Sequence, residues 1–415
     1  MNSEPVVIVA GRRTPFARAG TDLARHTAQA MGQHAVSAVQ QAGGLAADIL
    51  GALAFGTVVL DPRTPNPGRE IVLGSGLPPS MPAHTVSAYC ISGLHAVTDI
   101  AASIQSGRIQ AGIAAGADSL SQPSLLFRPS AVRAFTAMAR ARSLPARLAA
   151  LAKLRPGHFV PVAPGVAEPS TGLTMGQHCE IMAKTWQIPR EVQDTIALTS
   201  HQRATAAWSD GRLAGQVAPM AGLARDNQVR GDTSLEKLST LKTVFDPSPR
   251  GTLTAGNSSP LTDGGAAVLL SSRRAAEQAG APLLAVIKDW EYAALALDDG
   301  LLMAPALAVP RLLSRHGLTL DDIDLIEIHE AFAAQVEANT RAWEQGWREP
   351  AIGRVDPQRL NVCGSSIAVG HPFAATGGRI VMTLAYEMAR RGARRGLISI
   401  CAAGGMAGAM LLEQA

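Results

Sequence analysis

Four short stretches of this sequence hold side chains suited to nucleophilic and acid–base chemistry. Cys90 stands between an apolar run and the helix-like segment ISGLHAV. A thiol at a helix N-terminus meets the positive end of the dipole, which favours the thiolate and so the nucleophile. Gly93, three residues on, permits close backbone approach there. His371 lies in SSIAVGHPFAATGGRI, where small residues leave room for a ligand and an imidazole can serve as base and hydrogen-bond donor. Cys401 closes an apolar run and precedes AAGGM, whose small residues leave backbone N–H groups able to face an oxyanion. In LIEIHEAFAAQ, His329 and Glu330 stand at the end of a strand-like run, the edge at which open α/β sheets collect ligands. A zinc-binding HExxH motif would need histidine at position 333, which is Ala333, so the metal reading fails. Taken singly, an inert core cysteine or a loop histidine explains each stretch as well.

The elements that must position these groups alternate between β-branched runs and amphipathic helices, the pattern of an α/β domain. Strands are expected at Pro5–Ala10, Ala52–Val59, Thr85–Tyr89 and Ala111–Ala117. Between them fall a helix at Thr27–Ala42, closed by Gly43-Gly44, and one at Ser92–Ser106, capped by Gly107. Leu94, Val97, Ile100 and Ile104 give the second helix a buried stripe. The C-terminal part repeats this grammar: helix Ala308–His316, Gly317-Leu318, strand Leu325–Ile328, helix Gly378–Arg390, strand Leu397–Cys401. Gly44-Leu45 with Asp48-Ile49, and Gly317-Leu318 with its own Asp-Ile pair, suggest two similar halves. The region from about Gln122 to Gly251 is different in kind. It has a basic stretch with Leu144, Leu148, Leu151 and Leu154 at helical spacing, a proline-rich passage, and a long helix around Glu191–Asp210. It reads as an insertion, leaving domains at 1–121 with 252–280, at 122–251, and at 281–415.

Composition narrows the classes. The 415 residues are 47% hydrophobic and only 17% charged, which excludes a disordered, collagenous or coiled-coil chain. Aromatics at 4% make a base-stacking nucleic-acid platform a poor expectation. The net charge of +4 is local, because seven Lys/Arg and no acid lie between Ser119 and Ala167. Cys90, Cys179, Cys363 and Cys401 show no CxxC spacing, so free thiols in a reducing compartment are expected. The N-terminus has an acid where a signal peptide needs bases. The longest uncharged run, Gly396–Leu412, is too short and glycine-rich for a span and suits two buried strands joined by a glycine turn. A soluble, cytoplasmic enzyme is the expectation.

Together the motifs carry more than their sum. VSAYCISGLHAV, TAGNSSPLTDGGAAVLL, IHEAFAAQ, VGHPFAATGGRI and CAAGGMAGAML follow the order and spacing of the thiolases, and the resemblance runs from RRTPFARAGTDL to the last strand. It implies a thiolase fold: two similar βαβαβαββ halves in a layered α-β-α-β-α core, with an inserted loop domain. HEAF in place of the commoner NEAF, together with MGQHCEIMAK, RGDTSLEKL and the basic insertion, resembles the β subunits of fatty-acid β-oxidation trifunctional complexes. Ser365 departs from the usual glycine beside the GHP loop.

The resemblance implies CoA-dependent cleavage of a 3-ketoacyl-CoA to acetyl-CoA and a shortened acyl-CoA, or the reverse condensation. Cys90 matches the nucleophile, His371 the histidine that activates it, and Cys401 the acid that protonates the leaving enolate. His329 replaces the asparagine of one oxyanion hole, and the amides of Cys90 and Ala403 match the other. Ser259 and Met175 match residues along the pantetheine arm of CoA, and Arg230 one near its nucleotide. No metal or redox cofactor is implied, coenzyme A being a substrate. The expected partners are a second or further copies of the chain (a homodimer or dimer of dimers), a hydratase/dehydrogenase α subunit, and a membrane surface touched through 125–155; no nucleic acid is expected. Three other readings stay open: a biosynthetic acetoacetyl-CoA thiolase, a non-catalytic lipid-binding subunit, and a ketoacyl-synthase-type condensing enzyme, against which the CAAGG cysteine argues.

Overall fold

The computed structural model describes residues 4–162, 165 and 167–415. Part of the proline-rich passage, and the first three residues of the expected first domain, lie outside them. The first half runs β1 (Val6–Arg13), β2 (Ala17–Arg18), α1 (Ala28–Gly43), β3 (Leu50–Gly56), α2 (Pro67–Gly74), β4 (Ala83–Val86), α3 (Ser92–Gln105) and β5 (Ala111–Asp118). Five helices follow: α4 (Pro129–Arg140), α5 (Leu144–Leu151), α6 (Met175–Thr185), α7 (Arg190–Ser209) and α8 (Leu235–Ser239). Then come β6 (Thr262–Ser272), α9 (Arg273–Gln278), β7 (Ala285–Ala294), α10 (Pro305–Arg315), β8 (Leu325–Ile328) and α11 (Ala333–Gln345). The chain closes with α12 (Ser366–Val369), α13 (Ala375–Arg391), β9 (Arg395–Ala402) and β10 (Met406–Glu413).

Local chemistry explains the boundaries. Thr27 caps α1 by accepting from the Ala30 amide, and Gly44 ends it in the left-handed conformation. β8 occupies the four residues expected, whereas α13 begins three residues earlier than expected because ATGG is absorbed into its first turn. Ala403, Gly404 and Gly405 form the turn between β9 and β10, both glycines at positive φ, as the uncharged run implied.

The strands form one sheet ordered β4-β3-β5-β6-β1-β7-β10-β9-β8, with β2 beside β6. β1 and β7 join the halves antiparallel, with Val6 opposite Ile287 and Ile8 opposite Ala285. Burial sorts the core into three slabs. One packs α1 and α2 on the outer face of the first half, and one packs α10, α11 and α6 on the outer face of the second. The middle slab holds α3 and α13 between the halves, through Leu94, Val97, Ile100, Ile380, Val381 and Leu384. That is the expected five-layer order. The second half lacks a full counterpart of β4: a single parallel bridge, Leu360 to Ile326, takes its place. Among the described residues no helix is long and apolar enough to cross a membrane.

The topology delivers the chemistry to one place. β3, β4 and β5 are parallel, as are β8 and β9, so their carboxyl ends collect at two facing edges. α3 and α13, both in the middle slab, begin just after Cys90 and His371.

Candidate active site

Cys90 follows β4 and sits two residues ahead of α3. Tyr89 before it has φ 49°, and Phe373 beyond His371 has φ 25°; each left-handed residue costs about 1–3 kcal/mol, which the surrounding packing must hold in place. Cys90 is the one cysteine of the four that is not fully buried. Its Sγ lies 3.2 Å from His371 Nε2, and His371 Nδ1 is 2.6 Å from Thr376 Oγ1 in the first turn of α13. The His329 ring lies 4.1 Å from that of His371, centroid to centroid, tilted by 43°. The donor atoms of Cys90, His329 and His371 all fall within 4.8 Å of one another, a group of metal-ligating type.

Burial governs the protonation states. It pushes the Cys90 thiol up to about 12, against the opposing hydrogen bonds from the Ala403 and Cys90 amides. It brings His371 down to about 3, with the Arg379 charge adding to the effect. The resting pair is therefore neutral thiol and neutral imidazole. Desolvation here outweighs the helix-start effect that favours the thiolate. His329 is held well below the usual histidine range by burial, then by His371 and Arg379.

Cys401, the last residue but one of β9, is buried, and its thiol is pushed up by burial and by the neighbouring Cys90 and Cys179. The Ala403 amide in the turn beyond it faces Cys90 Sγ. Gly404 N–H donates to Glu168 Oε2 at 3.0 Å, so a buried carboxylate between α5 and α6 braces that turn. Ser259 is half-buried and reaches the HEAF segment through its amide, which donates to the Ala331 carbonyl at 2.9 Å. Met175 opens α6 and packs on the outer slab of the second half. Arg230 is exposed; its amide donates to His201 Nδ1. Thus Cys90, His371 and His329 come together with Cys401 and Ala403 beside them and Ser259 adjoining. Met175 packs against the same apolar cluster as Cys401, and Arg230 has no side-chain hydrogen bond or ion pair with these residues among the described ones.

Glu330, paired with His329 in the sequence, turns away from the cluster. It accepts from Ser200 Oγ and Asn361 Nδ2, both at 2.7 Å, and from the Ile367 amide, and so ties α7 and α12 to the end of β8. Sequence reasoning missed three further supports. Asp118, at the end of β5, accepts from the Val58, Val59 and Ala374 amides and anchors the loop before α13. Thr376 holds His371, and Ser366 holds His329 Nδ1 at 2.7 Å. Thr376 and Ser366 were signalled only by their nearness to the GHP histidine, and Asp118 by nothing in the sequence.

Comparison with known proteins bears on the family and the fold. Residues 6–274 match the family description "Thiolase, N-terminal domain" and residues 281–414 "Thiolase, C-terminal domain". A 3-ketoacyl-CoA thiolase of Colwellia psychrerythraea is 43% identical, covering 99% of this chain and 97% of that protein. An Escherichia coli 3-ketoacyl-CoA thiolase is 42% identical over 98% and 96%. Among solved structures, the Bacillus anthracis acetyl-CoA acetyltransferase superposes with a TM-score of 0.86 at 28% identity, and human mitochondrial 3-ketoacyl-CoA thiolase with 0.86 at 27%; each covers the whole of both chains. The chain belongs to the thiolase family.

Proposed function

We propose that this protein is a 3-ketoacyl-CoA thiolase acting in fatty-acid β-oxidation, with Cys90 as the acyl-carrying nucleophile. The observation that carries the reading is the 3.2 Å contact of the half-buried Cys90 thiol with His371 Nε2, beside a second, buried cysteine. Cys90 Sγ attacks the 3-keto carbon while His371 Nε2 takes the thiol proton. For that, His371 Nδ1 keeps its own proton and donates it to Thr376 Oγ1. Among the described residues His329 Nε2 is buried with no hydrogen-bond partner, and an N–H there would serve one developing oxyanion. The Cys90 and Ala403 amides serve the other. The C2–C3 bond then breaks, and Cys401 gives its proton to C2 of the acetyl-CoA enolate. The Cys401 thiolate next accepts the proton of incoming CoA, whose sulfur takes the acyl group from Cys90; the departing Cys90 sulfur recovers its proton from His371. Ser259, Met175 and Arg230 would line the path of CoA, on the 122–251 insertion and its return to the sheet. Brief exposure to a 3-ketoacyl-CoA without free CoA should leave the acyl mass on the Cys90 peptide; a label on Cys401 alone would overturn the assignment.

A second feature bears on partners. Leu125, Leu126, Phe127, Val132, Leu144, Leu148 and Leu151 are exposed, in and before α4 and α5. Arg128, Arg133, Arg140, Arg142, Arg147, Lys153 and Arg155 share that segment, and none pairs with a carboxylate among the described residues. Unpaired bases beside exposed leucines suit an anionic membrane surface, and also the acidic face of a hydratase/dehydrogenase subunit. Reversing Arg140, Arg142 and Arg147 to Glu should abolish salt-sensitive binding to anionic vesicles with turnover of short substrates unchanged. Absence of wild-type binding to either at low salt would remove the docking role. Among the described residues β4 pairs only with β3 and leaves an open outer edge beside Cys90, which a second copy of the chain would close in a homodimer; light scattering tests this.

A further inference from the structure

Ser365 and Ser366 stand side by side between the buried guanidinium of Arg379 and the end of β8. Arg379 Nη1 donates to Ser365 Oγ at 3.1 Å, and Nη2 donates to Ser366 Oγ at 2.7 Å. Ser365 in turn donates its one hydroxyl proton to the Ile328 carbonyl at 2.9 Å. That direction is forced, since a carbonyl only accepts. Ser366 Oγ lies 2.7 Å from His329 Nδ1, and among the described residues no other side chain or carbonyl is available to take its proton. Arg379 has no acceptor capacity, so the Ser366 proton must go to Nδ1. An imidazole that accepts at Nδ1 carries its proton on Nε2. The converse arrangement, with Nδ1–H donating to Ser366, would leave the serine proton with no acceptor in a fully buried site and would leave a bare Nε2 lone pair facing His371.

We propose that Ser366, oriented by Arg379, is a positioning residue that fixes His329 in the tautomer protonated on Nε2. Each serine passes a hydrogen bond from the guanidinium to the strand end, one setting the main chain of residue 328 and the other the ring of residue 329. An asparagine at 329 would present an N–H from its amide whatever lay behind it, whereas histidine has two neutral forms and only one is a donor at the reacting atoms. Ser366 is what histidine needs at this position. The same proton makes the Cys90–His329–His371 cluster a site for a developing negative charge rather than for a metal ion, because it occupies the lone pair a metal would use. Burial keeps His329 neutral, which makes the choice of tautomer matter across the physiological range.

The role assigned to the tautomer rests on the thiolase reading, but the tautomer itself can be read without turnover. In wild-type protein labelled with ¹⁵N-histidine, the resonances lost in His329→Asn should show a protonated Nε2 and an unprotonated, hydrogen-bonded Nδ1. In Ser366→Ala that pattern should give way to a mixture or to the Nδ1–H form. An Nδ1–H signature in the wild type overturns the proposal, whatever the enzyme turns over. In kinetics, Ser366→Ala should lower kcat by about 10- to 100-fold with KM for the 3-ketoacyl-CoA within about twofold, approaching the loss of one oxyanion donor. Ser366→Thr, which keeps the hydroxyl, should recover most of the rate. The decisive arm is the double variant: in the His329→Asn background, Ser366→Ala should cost nothing further, since an amide has no tautomer to fix. An equal loss in both backgrounds would show that Ser366 supports packing alone and would overturn the proposal. A wild type that binds CoA thioesters but never cleaves a 3-ketoacyl-CoA would instead remove the thiolase reading, with the tautomer still decided by the spectrum.

Discussion

Gly93→Ala should separate the nucleophile from its base. The first turn of α3 crosses the start of α13 so closely that a Cβ on Gly93 would lie 2.1 Å from the Ala374 carbonyl oxygen and 3.3 Å from Gly377 Cα. Both obstacles are backbone, so no side chain can swing aside. Restoring a normal contact moves the two segments apart by about 1 Å, in a core packed to crystal density. Cys90 rides on one segment and His371 on the other, so their 3.2 Å contact would open toward about 4 Å, too long for a hydrogen-bonded transfer. A misplacement of about 1 Å can cost 10²-fold in rate, or about 2.7 kcal/mol. Overpacking adds about 1–3 kcal/mol of lost stability. Gly107→Ala, just past the end of the same helix, is the control: Gly107 has φ 70° with nothing near its Cβ, so the variant should lose about 1 kcal/mol and no turnover. The assay is kcat for thiolysis of a soluble 3-ketoacyl-CoA, with thermal unfolding of both variants alongside. A folded Gly93→Ala protein with wild-type kcat would refute the claim that this crossing sets the Cys90–His371 distance.

Three further outcomes follow from the protonation states and the second cysteine. Because the resting pair is neutral, iodoacetamide alkylation of Cys90 should rise steadily with pH between about 6 and 9, and a flat, fast rate at pH 6 would reveal a standing thiolate–imidazolium pair. His371 is neutral in the fold down to about 3, whereas the unfolded chain takes up its proton near 6.5; its share of stability is present above 6.5 and is lost as pH falls toward 3, so His371→Gln should flatten the acid limb of a denaturation series. Cys401→Ala should still acylate Cys90 from a simple acyl-CoA, yet lose about 100-fold or more in cleavage of 3-ketoacyl-CoA, and wild-type cleavage by this variant would remove the acid role.

Much of the site was legible because its chemistry sits in short glycine-bounded loops after strands. β8 was readable to the residue from the Asp-Ile pair that leads into LIEI, and His329 at its end followed directly. Cys90, His371 and Cys401 were placed by motif, but their protonation was not: the helix start was visible in sequence, while the burial that overrides it depends on packing between the halves. Arg379 was invisible for a related reason. Within GGRIVMTLAYEMARR it looks like one polar position on an amphipathic helix, yet α13 lies in the middle slab and the guanidinium is 1% exposed. α5 shows the opposite case, where spacing alone does not say which face is covered. Leu144, Leu148 and Leu151 have the spacing of a buried stripe, and all three face solvent. The missing counterpart of β4 had no sequence signal, since one bridge at Leu360 needs no run of β-branched residues.

The place of β1 in the sheet has a consequence for the chain as it is made. VVIVA emerges among the first residues, but both its neighbours, β6 and β7, lie beyond residue 261. At roughly 5–20 residues per second, the ribosome leaves this apolar strand without its partners for on the order of 10–50 s. During that interval β3, β4, β5 and their helices can collapse locally, yet the seam between the halves cannot close. The final register therefore forms late and across a long loop, which makes it the slow step and the one most exposed to pairing with a neighbouring nascent chain. A circular permutant that begins within the α4–α5 segment would synthesise β6, β7 and the rest of the second half before β1, so β1 would emerge with both its neighbours already made.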